Sequence, residues 1–447
     1  MLTAAENHRL TRIGRGEPAG KLMRLYWQPA ALSEELPVDR PVRGIRLLGE
    51  DLVLFRNQAG ELGAIGRYCT HRGVDLAYGR CENGGLRCPF HGWLFATDGT
   101  CLERPAEPAG DKPPRAVAAN AYPCVERKGI IWVYMGPDTP PAFPDLDCFV
   151  APDSHSFAFK GLWECNWLQA AEVGVDPAHA SFLHRFFEDE DTSQSYGRQF
   201  RDRGAVDSDL PMTQLLREYP RPKIKSSRTN YGMQIASIRE TPIGTHVRVT
   251  NQIFPHAICI PMSPTMTITQ WHVPIDDESC YWYSIFTSFD APVDAATMRE
   301  QRLREHQLPD YRPLKNRHNA YGFDPREQAA RTYTGMGDDI NVHDQWAVES
   351  PGPITDRSRE HLATTDIAIV QYRRALMEAI AMAEAGENDL PLRAAGSSGG
   401  DYRGPQAIDV LLSPGEPLDA WRDREAARRA NAPWADAAGG VGVTERA

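Results

Sequence analysis

Two short clusters constrain this chain more than anything else in it. They are Cys69-Thr70-His71 and, after the 16 residues from Arg72 to Arg87, Cys88-Pro89-Phe90-His91. Gly73 and Gly92 follow directly, so two tight loops each present one thiol and one imidazole. Around them, short β-rich pieces at 45–48, 52–55, 93–95 and 129–134 alternate with turn pairs such as Asp98-Gly99 and Gly136-Pro137. That texture predicts a small all-β unit. A closed tetrahedral zinc site would also use two cysteines and two histidines. Zinc fingers, however, keep Cys with Cys and His with His, whereas here each loop mixes the two.

The mixture suits a [2Fe-2S] cluster in which Cys69 and Cys88 hold one iron while His71 and His91 hold the other. Neutral imidazoles in place of two thiolates cut the negative charge and raise the reduction potential. With C-T-H-R-G at 69–73 and C-P-F-H-G-W at 88–93, the segment resembles the Rieske family. Respiratory Rieske proteins carry a further disulfide-forming Cys near each loop. Val74 and Phe90 stand in those neighbourhoods, so the resemblance is to the oxygenase or ferredoxin type. Cys81 and Cys101 match no ligand position and read as buried thiols.

A second constellation lies in N-W-L-Q-A-A-E-V-G-V-D-P-A-H-A-S-F-L-H-R, residues 166–185. Glu172, Asp176 and His179 would share one stripe of an unbroken helix. Pro177 fits better as the first residue of a new helix, with Asp176 as its N-cap and Gly174 ending the helix before. His179 and His184 are five apart, about 140° around a regular helix. Both reach one metal only if the helix loosens between them, and the spacing alone suits two ordinary histidines equally well.

A Rieske unit followed by N-W-x-Q-x-x-E-x-x-x-D-x-x-H-x-x-x-x-H resembles the α subunit of Rieske non-haem iron ring-hydroxylating oxygenases, in the phthalate dioxygenase-like branch. The likeness runs from Gly16–Pro29 through 343–362. It implies that His179, His184 and a distant carboxylate form a facial triad on mononuclear Fe(II). The family's Q-D-x-x-x-x-E-S pattern falls on 343–350, which selects Asp344 as the carboxylate, with Asp338 and Asp339 next in line. His343 in place of Gln and Pro351 in place of Met depart from the pattern, and neither is expected to touch a ligand. Asp176 is expected to link a cluster histidine of a neighbouring subunit to His179. Glu172 is expected at most to support a ligand.

The fold class expected is α+β: an N-terminal all-β Rieske unit (1–150), then a catalytic unit (151–390) with a curved antiparallel sheet gripped by helices, then a C-terminal tail (391–447). Thr3 and Glu6 form a capping box that starts a short helix. Further helices are predicted at 161–171, 295–307, 365–384 and 421–429. Segments 231–239, 245–254, 266–273 and 281–289 predict adjacent antiparallel strands. In the second of these, His246, Arg248, Thr250 and Gln252 share one face, and Arg248 with Arg239 are the candidate clamps for a substrate carboxylate.

The family resemblance implies the oxygenase component of an O2-using enzyme. No Gly-x-Gly-x-x-Gly fingerprint is present, so electrons from NAD(P)H are expected through a separate flavin and iron-sulfur reductase. A homotrimer or stacked trimers and a small aromatic substrate are implied, foremost an aromatic carboxylate such as a phthalate isomer or substituted benzoate. O-demethylation or aryl-ether cleavage is the alternative reaction, and a Rieske electron carrier without oxygenase activity is the alternative of another class. Lys and Arg number 49 against 60 Asp and Glu, a net charge of −11, which offers no basic field for nucleic acid or anionic membrane. Nine scattered Cys form no disulfide framework, and no apolar run could span a bilayer, so a cytoplasmic location is expected.

Overall fold

The computed structural model describes residues 2–108, 117–188, 204–208, 210–387, 390–392 and 404–435. Thr3 caps the helix Ala4–Thr11 through the reciprocal bonds with Glu6 that the capping box requires. Two four-stranded sheets then build the metal-loop unit. One orders Val42–Leu47, Glu50–Arg56, Leu62–Gly66 and Ala121–Tyr122; the other Arg80–Glu82, Gly85–Arg87, Leu94–Phe95 and Cys101–Glu103. Val53, Phe55, Ile65, Leu76, Leu86 and Phe95 form its own buried core. Each such side chain contributes about 1.5–3 kcal/mol when fully buried.

A three-stranded sheet made of Trp27–Leu32, Ile130–Tyr134 and Cys124–Arg127 faces the rest of the chain. Trp132 meets Trp271 of the large sheet edge to face, ring centroids 5.2 Å apart. The N-terminal helices and this sheet therefore share one core with the second half of the molecule.

That half is built on an antiparallel sheet. Among the described residues it has eight strands, in the order Ser156–Trp163, Cys280–Ser288, Met266–Pro274, Ala257–Ser263, Gly244–Ile253, Gly232–Thr241 and Lys223–Thr229, with Ile408–Leu412 also paired to Gly244–Ile253. The four expected strands are present, and Ala257–Ser263 inserts between the second and third. Its short apolar run around Pro261 gave no alternation to read.

The start of the helix expected at 161–171 is corrected. Residues 156–163 form a strand, and Gly161 pairs with Trp282, whose ring occupies the space a Cβ would need. This strand is buried on both faces, so its continuous apolar run mimics a helix. The helix begins only at Trp167, where Asn166 accepts a bond from the Leu168 amide, and runs to Val175. It lies against the strands Gly244–Ile253, Ala257–Ser263 and Met266–Pro274 and carries the second constellation at its C-terminal end. Helices Ala295–Glu305, Ile367–Glu384 and Trp421–Ala430 match expectation to within a few residues. Of the C-terminal tail, 393–403 and 436–447 lie outside the described residues. Among the described residues no helix is long and apolar enough to cross a membrane.

Candidate active site

The two Cys-His loops share a pattern of backbone hydrogen bonds. The Cys69 amide donates to Val74 O (2.9 Å) and the Gly73 amide to Cys69 O (2.8 Å). In the other loop the Cys88 amide donates to Trp93 O (2.8 Å) and the Gly92 amide to Cys88 O (3.1 Å). Gly73 and Gly92 close these turns at φ +74° and +75°, a conformation that costs glycine little. The loops converge: His71 and His91 rings lie 4.5 Å apart, and Trp93 stacks on His71 at 4.6 Å. Both cysteines are buried and in the reduced form. Burial, with Cys88 adjacent, pushes the Cys69 thiol up to about 11, so at neutral pH it would lose its proton only to a bound cation. His91 Nδ1 is buried without a hydrogen-bond partner. Two paired thiols and an orphaned imidazole nitrogen fit a mixed sulfur and nitrogen cluster. Cys81 and Cys101 remain free thiols outside this arrangement.

The second constellation converges because the helix does loosen. Beyond Val175 only a short 3₁₀ turn, His179–Ser181, follows, and His184 sits in the turn after it. No α-helix starts at Pro177. Asp176 is therefore not an N-cap but the C-cap residue of Trp167–Val175; its carboxylate accepts from the Ala178 amide at 2.7 Å across the turn, and its backbone carbonyl engages His179 Nδ1. A carbonyl only accepts, so Nδ1 carries the proton and Nε2 is bare.

The helix Ile340–Glu349 delivers Asp344 to the same point. Asp344 Oδ1 is 3.2 Å from His184 Nε2 and 3.7 Å from His179 Nε2. The ligand atoms of these three residues lie within 4.8 Å of one another, close enough to hold one metal ion. Asp344 Oδ1 is buried without a hydrogen bond. Burial alone would raise its pKa, but the two imidazoles outweigh burial and hold it below the usual carboxylate range. A carboxylate oxygen facing imidazole nitrogens in a buried site is a donor set for a divalent cation, and two His with one carboxylate suits ferrous iron.

Asp339 and Asp338 are elsewhere. Asp339 caps the helix by accepting from the Asn341 amide (3.0 Å), and Asp338 pairs with Arg331. Glu172 faces away into a buried ion network with Arg357 and Arg373. One expectation is corrected: His343 does touch a candidate ligand, its Nδ1 lying 3.5 Å from His184 Nδ1. The sequence offset of one residue hid this, because the helix turns His343 and Asp344 to different sides of His184.

A cavity of about 230 Å³ opens onto the triad. Its walls are mostly apolar, including Ile258, Ile260, Ile268 and Phe286, with Arg248, Gln270, His272, Asn341 and Arg302 as polar points. Strand alternation explains much of the lining: 258, 260 and 262 share a face, as do 268, 270 and 272. The T-I-T-Q-W-H run held that signal for Gln270 and His272, which sequence reasoning missed. Gln270 Nε2 lies 3.0 Å from His272 Nε2, and burial lowers His272 to about 4, so it is neutral.

The two candidate clamps part company. Arg248 lines the cavity; Asp409, outside the lining, accepts from its Nη1, and Pro261 O accepts from its Nη2 at 3.1 Å. Asp409 also binds His246, on the neighbouring strand. Arg239 does not line the cavity. It donates to Tyr219 O (3.0 Å), Ser237 Oγ (3.2 Å) and Ser181 Oγ (3.3 Å), which braces the turn that carries His179.

Comparison with known proteins follows the same division. Residues 26–123 match the Rieske [2Fe-2S] domain, and 133–399 match the LigXa C-terminal domain-like family. The oxygenase subunit of phthalate 4,5-dioxygenase from Pseudomonas putida is 35% identical over 87% of this chain and 88% of its own. The oxygenase subunit of 3-chlorobenzoate-3,4-dioxygenase from Comamonas testosteroni is 32% identical over 86% and 90%. The fold resembles that of NdmA from Pseudomonas putida CBB5, solved as its QL mutant with theobromine, at TM-score 0.56 and 19% identity over 90% of this chain and all of that one. With a Rieske [2Fe-2S] domain ahead of a catalytic domain of the mononuclear-iron type, the chain belongs to the Rieske non-haem iron oxygenases, as an oxygenase subunit of the phthalate dioxygenase-like branch.

Proposed function

We propose that His179, His184 and Asp344 hold Fe(II), and that the cavity beside them takes a small aromatic carboxylate, a phthalate isomer or a substituted benzoate, for ring hydroxylation. One observation carries the reading: a mostly apolar cavity of about 230 Å³ is bounded by the triad and by Arg248. For scale, a cavity of roughly 150 Å³ accommodates benzene. The apolar walls would bury the ring and exclude water. Two of the five Arg248 N–H donors serve Asp409 and Pro261 O, and the remaining ones suit a carboxylate. Asp409, by gripping Arg248 from the next strand, would fix the guanidinium before substrate arrives.

Bound in this way, the ferrous ion and the Rieske cluster together supply oxygen reduction and substrate oxidation. The protein's part is to aim both imidazole Nε2 atoms and the Asp344 carboxylate at one point and to hold the substrate over it. Electrons enter from a reductase partner, which we propose to be an NAD(P)H-dependent flavin and iron-sulfur protein. A trimer, single or stacked, is supported by exposed apolar groups at both centres: Phe90 beside His91 is 53% exposed, and Phe182, between the two candidate ligand histidines, is 46% exposed. In such a ring Asp176, partly exposed, would stand between the cluster of one subunit and the His179 of the next. Nine free cysteines suit the reducing cytoplasm.

The test is turnover with a reductase under ¹⁸O2 against benzoates, phthalate isomers and aryl ethers. Labelled hydroxyl groups on a ring that keeps its carboxylate are expected. Conversion of neutral aromatics only, or demethylation without ring labelling, would overturn the substrate assignment.

A further inference from the structure

His343 lies next to Asp344 in sequence and, in space, on the far side of His184. Its ring runs roughly parallel to that of His184, with centroids 5.7 Å apart and planes 25° apart, and it is fully buried. Its Nε2 is 2.9 Å from the Gly337 carbonyl, which can only accept, so the His343 proton resides on Nε2. Nδ1 of the neutral ring is therefore bare, and it faces His184 Nδ1 at 3.5 Å, the outer limit of a hydrogen bond. Two bare nitrogens facing each other would repel. His184 must carry its proton on Nδ1, which leaves Nε2 bare on the side of Asp344.

We propose that His343 is a positioning residue that fixes the tautomer and ring direction of His184, through a relay from Gly337 O to His343 to His184. The proposal rests on His184 being an iron ligand. His179 reaches the same state by a different device, the Asp176 carbonyl at its Nδ1, so the two histidines are oriented independently. The relay is anchored at its outer end. The Gly337 amide donates to Glu327 Oε1 at 2.8 Å, and Thr332 Oγ1 donates to the same oxygen at 2.7 Å. Gly337 takes φ +88°, and a Cβ there would run into Lys315 Nζ, so its carbonyl direction depends on glycine. Partners of this kind orient a ligand and raise its basicity, and losing one commonly lowers metal affinity 10- to 100-fold.

The experiment is chelator competition for Fe(II) on the full-length protein with its Rieske cluster intact, comparing parent, His343→Leu, His343→Gln, Gly337→Ala and His184→Ala. His343→Leu, without an acceptor, is expected to weaken Fe(II) binding about 10- to 100-fold. His343→Gln, whose Oε1 can still accept from His184 Nδ1, is expected to stay within about 3-fold of the parent, and Gly337→Ala to fall between them. If Leu lowers the melting temperature, His343→Met, of similar size with only a weak acceptor, takes its place. Parental affinity in the Leu or Met variant would overturn the relay. So would equal loss in the Gln and Leu variants, which would make His343 mere packing. His184→Ala separates the two levels: if it too retains iron, the triad itself is misassigned, whereas if it alone loses iron, only the relay fails.

Discussion

Glu172→Gln tests whether the carboxylate on the helix leading to the candidate ligands is purely structural. Glu172 Oε2 accepts from Arg357 Nη2 at 2.8 Å, and Oε1 accepts from Arg373 Nε at 2.6 Å. Arg357 is fully buried, and its Nη1 reaches Asn7 Oδ1 at 3.1 Å, so the network ties the N-terminal helix to the helix that ends beside Asp176. Burial alone would raise the Glu172 pKa; Arg357 and then Arg373 outweigh it and hold the carboxylate below its usual range. Gln removes the charge and turns an amide donor toward guanidinium donors, leaving a buried cation with one acceptor fewer.

Breaking a buried pair from one side costs about 3–5 kcal/mol. At about 2–4 °C per kcal/mol for units of 150–250 residues, the melting temperature should fall by about 6–20 °C. The sign with pH follows from the depressed pKa. The stabilisation is complete above the unfolded value of about 4.3 and is lost as pH falls through the folded pKa, so the gap between parent and variant closes on acidification. Calorimetry at pH 7 and at pH 3.5–4, with iron content measured in parallel, reads all of this. A melting shift under about 2 °C at pH 7, or a gap that widens in acid, would refute the reasoning. Loss of Fe(II) from a variant that is still folded would show that Glu172 serves the metal after all.

Three further outcomes are expected. His184→Ala should keep the visible absorption of the Rieske cluster and lose product formation by at least about 100-fold, checked by reductase-coupled turnover. Asp176→Asn keeps an acceptor for the Ala178 amide, so both metals should remain while cluster oxidation in single turnover slows sharply; an unchanged rate would leave the residue as a turn former only. Asp409→Asn should free Arg248, raising KM for carboxylate substrates about 10-fold with a smaller change in kcat, and a fall in kcat alone would count against the clamp.

Much of the site could be named before any coordinates. Cys69, His71, Cys88 and His91 are local pairs, and their loops need only nearby glycines to close, so spacing carries the chemistry. Spacing alone does not unite His179 and His184, because a regular helix would part them; the 3₁₀ turn that brings them together is a tertiary compromise invisible to periodicity. Residues 161–163, the end of the strand Ser156–Trp163, read as the start of a helix for a related reason, since burial on both faces erases alternation.

The chain alone determined which side chains are candidates for the chemistry and the order in which they come, because thiols, imidazoles and tight glycine turns act over a few residues. What it left open was which distant groups meet. Asp344, rather than Asp338 or Asp339, is turned toward the two histidines by the face of its helix. Arg239 and Arg248 sit on paired strands, yet only Arg248 reaches the cavity, because the direction of a side chain from a curved sheet depends on everything packed behind it. Long-range approach is a property of the folded core, and no local spacing encodes it.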